Sequence, residues 1–219
     1  MTLRKLENPG TEAEDVSSLL LRKAEDTGSP IYVVDSPDPT VSFGRRDGEK
    51  DGFGEARRVA EKRGYNVKVR RTGGGAVIHD GNTLGFAAAF PVRRSKTGIQ
   101  ERYEAVIESL ARELRLLDPG VEEREPEGSF CPGQHSLSNE TGKVVGISQK
   151  VRKDAAVVAG IINLELCDHV PILYFEVYDA LGCSLDPDTV GRLSTSSSSV
   201  EEAVEVSLKD AWTRLREEQ

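Results

Sequence analysis

The chain has 219 residues, of which 37% are hydrophobic and 30% charged; that is enough to bury one medium-sized core without disulfides, and the composition excludes a disordered or fibrous class. A net charge of −8 opposes nonspecific nucleic-acid binding, no apolar run nears the roughly 20 residues of a membrane span, and Met1-Thr2-Leu3-Arg4-Lys5 does not lead into the apolar stretch of a signal peptide. Cys131, Cys167 and Cys183 are an odd number with no Cys-x-x-Cys pair, which suggests neither a disulfide framework nor a zinc site and makes a reducing cytoplasm the expected home.

The charge is unevenly spread. Residues 68–96 hold six basic residues against one acid, and residues 143–153 hold four against none. A protein partner with an acidic surface would meet these stretches first, with Arg93, Arg94 and Lys96 among the expected contacts.

In chain order, Val16, Leu19, Leu20 and Leu21 in a charged frame predict a surface helix over Glu12–Glu25, ended by Thr27-Gly28-Ser29-Pro30. Ile31–Val34 reads as a short buried strand. Pro37, Pro39 and Phe43-Gly44-Arg45-Arg46 predict a loop, followed by a charged helix from about Gly54 to Arg63 that Gly64 closes. Val67–Arg71 and Ala76–His79 read as strands around Gly73-Gly74-Gly75, and Thr83–Pro91 as another. Val106, Ile107, Leu110, Leu114 and Leu117 give Ile99–Leu117 a core-packing helical stripe, stopped by Asp118-Pro119-Gly120. Gly128–Ser138 is expected to be a loop, Val144–Ser148 and Ala155–Leu164 strands, Pro171–Leu181 a helix, and Val200–Arg216 a last helix capped by Ser199 or a neighbour. Interleaved strands and helices of unequal length predict a mixed α/β (α+β) domain over residues 1–219, with no internal repeat.

Three segments carry unusual local chemistry. In Arg70-Arg71-Thr72-Gly73-Gly74-Gly75-Ala76-Val77-Ile78-His79, three glycines leave the backbone unshielded, so an extended ligand can lie against bare peptide groups. Neither a Walker A loop nor a dinucleotide Gly-x-Gly-x-x-Gly is present. In Ser129-Phe130-Cys131-Pro132-Gly133-Gln134-His135, a cysteine between an aromatic and Pro-Gly sits on a rigid turn from which its sulfur can project. Cys167 and Cys183 lie in apolar stretches and read as small buried hydrophobes. In Gly142-Lys143-Val144-Val145-Gly146-Ile147-Ser148, a lysine enters a small-residue strand between glycines.

Together these segments resemble the biotin/lipoate A/B protein ligase family over roughly Val33–Leu164. The family's arginine, Ser/Thr, Gly-Gly pair and histidine fall on Arg70, Thr72, Gly73, Gly74 and His79, followed by its lysine, glycine and small residue on Lys143, Gly146 and Ser148. Ser-Phe-Cys-Pro-Gly followed by Ser136-Leu137 is similar to the cysteine-dependent octanoyltransferase and amidotransferase branch, whose nucleophile would be Cys131.

The resemblance implies a biotin/lipoate-ligase-like catalytic domain, a mixed sheet flanked by helices. It implies transfer of an octanoyl or lipoyl group from an octanoylated acyl-carrier or lipoyl-domain protein to the lysine of a lipoyl-domain protein. Cys131 would form a thioester with no cofactor or metal. Lys143 would lower the thiol pKa and bond the carbonyl oxygen as charge develops. The Gly73-Gly74-Gly75 loop would cradle the acyl chain, His79 would orient that loop or close the pocket, and His135 is a candidate base. Two alternatives stay open: an ATP-dependent lipoate or octanoate ligase working with an accessory domain, and a non-catalytic acyl-protein binder.

Overall fold

The computed structural model describes residues 2–6, 16–70, 74–92 and 98–217. In chain order the elements are β1 (Arg4–Lys5), α1 (Val16–Thr27), β2 (Ile31–Asp35), β3 (Thr40–Phe43), α2 (Phe53–Lys62), β4 (Asn66–Val69), β5 (Val77–His79) and β6 (Thr83–Pro91). They continue with α3 (Ile99–Arg115), β7 (Glu122–Glu123), β8 (Ser136–Asn139), β9 (Gly142–Val151), β10 (Ala155–Asn163), α4 (Val170–Ala180) and α5 (Ser197–Glu217). The strands form a seven-stranded sheet in the order β1-β2-β6-β10-β9-β8-β7 and a three-stranded sheet in the order β4-β3-β5. Both sheets mix parallel and antiparallel pairs, the mixed α/β class expected.

Alternation of side chains along the strands assigns the two faces of the large sheet. Tyr32, Val34, Leu84, Phe86, Ala88, Phe90, Val158 and Ile162 point into one core with α3 and α5. There Trp212 of α5 stacks on Phe90 at 5.8 Å, a geometry that adds about 0.5–1.5 kcal/mol beyond area burial. The intervening Val33, Ala87, Ala89, Ala155 and Val157 meet Leu20, Leu21 and Ala24 of α1 on the other face. A third core joins the small sheet to α2 and α4 through Val41, Phe43, Ile78, Leu173, Tyr174 and Val177, and reaches the large sheet at Ile161.

Two strands lie where a loop was expected. β3 follows Pro37-Asp38-Pro39 and is the middle strand of the small sheet, its Val41 and Phe43 fully buried. β8 is a polar Ser-Leu-Ser-Asn run, yet all four residues are buried because it is held between β7 and β9. The last helix starts three residues early, and its capping contact is the Ser199 N–H donating to Ser196 Oγ at 3.2 Å. The expected start of the first helix at residues 12–15 lies outside the described residues, as do Arg93, Arg94 and Lys96.

Candidate active site

The two sheets, the Cys131 turn and α1 enclose a cavity of about 980 Å³, at the upper end of the range in which small-molecule sites fall. Arg70, Gly74, His79, Cys131, Lys143, Gly146 and Ser148 all line it. Gly75 is adjacent, packed against Cys131 and Tyr178. Thr72 and Gly73 lie outside the described residues. The walls near β6 and β10 are apolar, from Val33, Phe86, Ala87, Ala159 and Ile161, and the opposite rim carries Lys68, Arg70 and His79. Such a site suits an aliphatic chain that ends in a polar, reactive group.

Cys131 is the one non-glycine residue with positive φ among the described residues, at 42°. Its left-handed conformation is held from several sides. Its N–H donates to the Tyr178 hydroxyl at 2.6 Å, and that hydroxyl donates to Ala76 O at 2.9 Å. Tyr174, one helical turn earlier on α4, accepts from the Ile78 N–H at 2.8 Å and stacks on Phe130 at 4.6 Å. Spacing of four places both tyrosines on one helix face, so α4 ties the cysteine turn to the strand that follows the glycine loop. Burial pushes both phenols well above the usual tyrosine range, so they remain neutral donors and acceptors.

The glycine loop comes close to the sulfur. A Cβ on Gly74, whose φ is +92°, would lie 2.6 Å from Cys131 Sγ and 3.1 Å from Arg70 Nη2; a Cβ on Gly75 would lie 2.7 Å from the Tyr178 oxygen. Both positions therefore exclude side chains, Gly74 for backbone conformation as well as space. Arg70 donates to Ser42 O and Gly75 O, each at 2.5 Å, and its Nη2 stands 3.9 Å from Cys131 Sγ. A guanidinium keeps its charge at any physiological pH.

Lys143 is fully buried. Its Nζ lies 3.1 and 3.0 Å from the two carboxylate oxygens of Glu125, and 3.0 Å from both Phe130 O and Cys131 O. Its protons are thus directed at Glu125 and at the carbonyls of the cysteine turn, and the cation within 4 Å of the sulfur is Arg70. Burial lowers the Lys143 pKa, with Glu125 opposing that shift.

His79 is pushed down to about 4, first by burial and then by Arg70 and Lys68, so it is neutral near pH 7. His135 stacks on Tyr103 at 4.6 Å; its Nε2 is 3.3 Å from Gln100 Oε1 and its Nδ1 is 3.5 Å from Glu123 without a hydrogen bond. It is absent from the cavity wall. The reading of the other cysteines as buried hydrophobes is corrected: Cys167 is exposed, and Cys183 is half-buried with its sulfur 2.7 Å from Lys50 Nζ. The neighbouring Leu166, Leu181 and Leu185 are buried instead, while the Cys167 sulfur stands 4.0 Å from Asn82 Nδ2. No His/Cys/Asp/Glu group able to hold a metal is found among the described residues. No helix among them is long and apolar enough to cross a membrane.

Sequence reading missed Glu125 and Tyr178. Glu125 sits in a charged Glu-Glu-Arg-Glu-Pro-Glu run that reads as solvated surface, and Tyr178 is 47 residues from the cysteine it holds. Only the folded contacts distinguish them.

The model of the family described as "Lipoyl protein ligase A/B catalytic domain" matches residues 11–210. An octanoyl-GcvH:protein N-octanoyltransferase of Geobacillus kaustophilus is 37% identical over 119 residues, covering 54% of this chain and 42% of that protein. A lipoyl-GcvH:protein N-lipoyltransferase of Listeria monocytogenes is 32% identical over 111 residues, 51% of this chain and 40% of that protein. The chain thus matches about two fifths of the length of these relatives. Among solved structures, a lipoate protein ligase of T. acidophilum with bound lipoic acid superposes with a TM-score of 0.67 at 20% identity, covering 97% of this chain and 86% of that one. A lipoate-protein ligase A bound with ATP superposes at 0.69 and 18% identity, covering 90% and 78%. These two share the fold.

Proposed function

Because this chain belongs to the lipoyl protein ligase A/B catalytic domain family, we propose that it transfers an octanoyl or lipoyl group to a lysine of a lipoyl-carrier protein, through a thioester on Cys131. The observation that carries this reading is the Cys131 sulfur itself, projected from a left-handed turn into a partly apolar cavity beside Gly74 and Arg70. The relatives named as octanoyl and lipoyl transferases support the acyl class and an acyl carrier of the GcvH kind.

The chemistry runs in two balanced steps. The Cys131 sulfur attacks the acyl carbonyl carbon; its C–S bond forms as the bond to the donor's sulfur or nitrogen breaks, and the thiol proton passes to the leaving atom. The acceptor lysine amine then attacks the thioester, the C–N bond forms, the C–S bond breaks, and a proton returns to the sulfur. The donor is an octanoylated acyl-carrier or lipoyl-domain protein. Arg70 places a fixed positive charge 3.9 Å from the reacting sulfur, the apolar wall takes the chain, and Gly74 leaves the approach to the sulfur open. The reaction needs no cofactor and suits a reducing cytoplasm, where the thiols stay free.

The test is transfer from an octanoylated carrier to a lipoyl domain, followed by intact mass with and without ATP. Transfer without ATP supports the reading. A strict requirement for ATP assigns the chain to the ligases instead.

A further inference from the structure

The buried Lys143 ammonium rests on an acid that belongs to none of the motifs. Glu125 receives Lys143 Nζ on both carboxylate oxygens. It also accepts the Ser129 hydroxyl, at the start of the cysteine turn. Lys143 in turn donates to the carbonyls of Phe130 and Cys131 and lies 5.0 Å over the Phe130 ring. The charged and titratable groups acting on Lys143 are Glu125 and Cys131, both on this turn or leading into it. On β9 Gly146 leaves room for the lysine stem, since a Cβ there would lie 3.3 Å from Lys143 Cε, and from β10 Asn163 donates to the Lys143 backbone oxygen.

We infer that Glu125 is a positioning residue for acyl transfer: it holds Lys143 as an ammonium beneath the Cys131 turn, and the Glu125–Lys143 pair clamps that turn in the conformation that presents the sulfur. This rests on the transferase reading for its function but not for its structure. An ammonium offers three N–H groups to four surrounding oxygens, whereas a neutral amine would turn a lone pair toward one of them. Burial disfavours the ammonium, and the carboxylate is what offsets that penalty. Glu125→Gln keeps the shape and the Ser129 contact while removing the charge, so the folded state holds the Lys143 proton less tightly than the unfolded one. The clamp on the two carbonyls then loosens.

The experiment compares wild type, Glu125→Gln, and Glu125→Gln combined with Lys143→Met in urea unfolding from pH 7 to 10. The unfolded lysine stays protonated below about 10.4, so a folded state that holds the proton less tightly is penalised most at low pH and recovers as pH rises. Glu125→Gln is expected to lower the folding constant by about a hundredfold to several thousandfold at pH 7, with a loss that shrinks toward pH 10. The double variant, with no buried charge to stabilise, is expected to recover most of the loss and to show no such slope. A single variant that does not fold beside a double variant that does gives the same answer. A pH-independent loss of equal size in both would overturn the inference and leave Glu125 a plain structural partner of Ser129. This arm needs no acyl donor, so it decides the role of Glu125 even if the transferase reading fails. In single-turnover loading of Cys131, Glu125→Gln is expected to be slower by about ten- to a hundredfold, and an unchanged rate would remove Glu125 from catalysis.

Discussion

The Tyr178 hydroxyl sits between two backbone groups, accepting from the Cys131 N–H at 2.6 Å and donating to Ala76 O at 2.9 Å. One helix side chain thereby joins the Cys131 turn to the end of the glycine loop. Tyr178→Phe leaves both groups unpaired in a buried setting, at about 1–3 kcal/mol each. We expect a loss of stability in urea unfolding together with slower acyl loading of Cys131. A stable variant with wild-type loading would show that the turn does not depend on this bridge.

Gly74 faces the sulfur at a distance no Cβ tolerates, and its φ of +92° strains any other residue. Gly74→Val should block acyl loading more than it alters the circular dichroism of the fold. Intact mass after exposure to an octanoylated donor checks this; full loading would mean the loop is only a turn.

Arg70 is the guanidinium 3.9 Å from Cys131 Sγ. Arg70→Gln should slow acyl loading of Cys131 from an octanoylated donor by about a hundredfold, since a fixed cation beside the reacting atoms stabilises charge as it develops there. Measured in a Cys167→Ser/Cys183→Ser background, an unchanged rate would take Arg70 out of this role. Arg70 also bonds Ser42 O and Gly75 O, so the melting temperature must be followed alongside to separate loss of charge from loss of the loop.

These contacts show how far the sequence could be read. Thr83–Pro91 reads as a strand because β-branched, aromatic and small apolar residues run between turn formers, and β6 spans those same residues. The α3 stripe was equally plain, since Val106, Ile107, Leu110 and Leu114 fall on one buried face. β3 was hidden because two prolines precede it, and β8 because its residues are polar and buried only by neighbouring strands. At the site, Cys131 and Lys143 announced themselves by local pattern. Their relationship did not: the lysine's partners are Glu125 and two carbonyls of the turn, and the cation within 4 Å of the sulfur is Arg70, just past the end of β4.

His79 lines the cavity with its pKa pushed down to about 4, chiefly by burial. The unfolded imidazole takes up a proton as pH falls through about 6.5, while the folded one stays neutral until about 4. Stability attributable to neutral His79 is therefore complete above pH 6.5 and is lost between 6.5 and 4, by an order of 1–3 kcal/mol. His79→Gln should flatten that part of the pH–stability curve. Parallel curves for the variant and the wild type would contradict the assignment.

The account stands most directly on whether Cys131 carries the acyl group. A thiol that attacks a carbonyl needs an open approach and a setting for the charge that develops, and the turn, Gly74 and Arg70 surround the Cys131 sulfur here. The measurement is intact mass of the protein after incubation with an octanoylated carrier in the absence of ATP, before and after hydroxylamine. One hydroxylamine-labile octanoyl adduct is predicted on the wild type and on Cys167→Ser and Cys183→Ser, and none on Cys131→Ser, which also loses transfer to the lipoyl domain. Transfer that persists in Cys131→Ser and requires ATP would contradict the account.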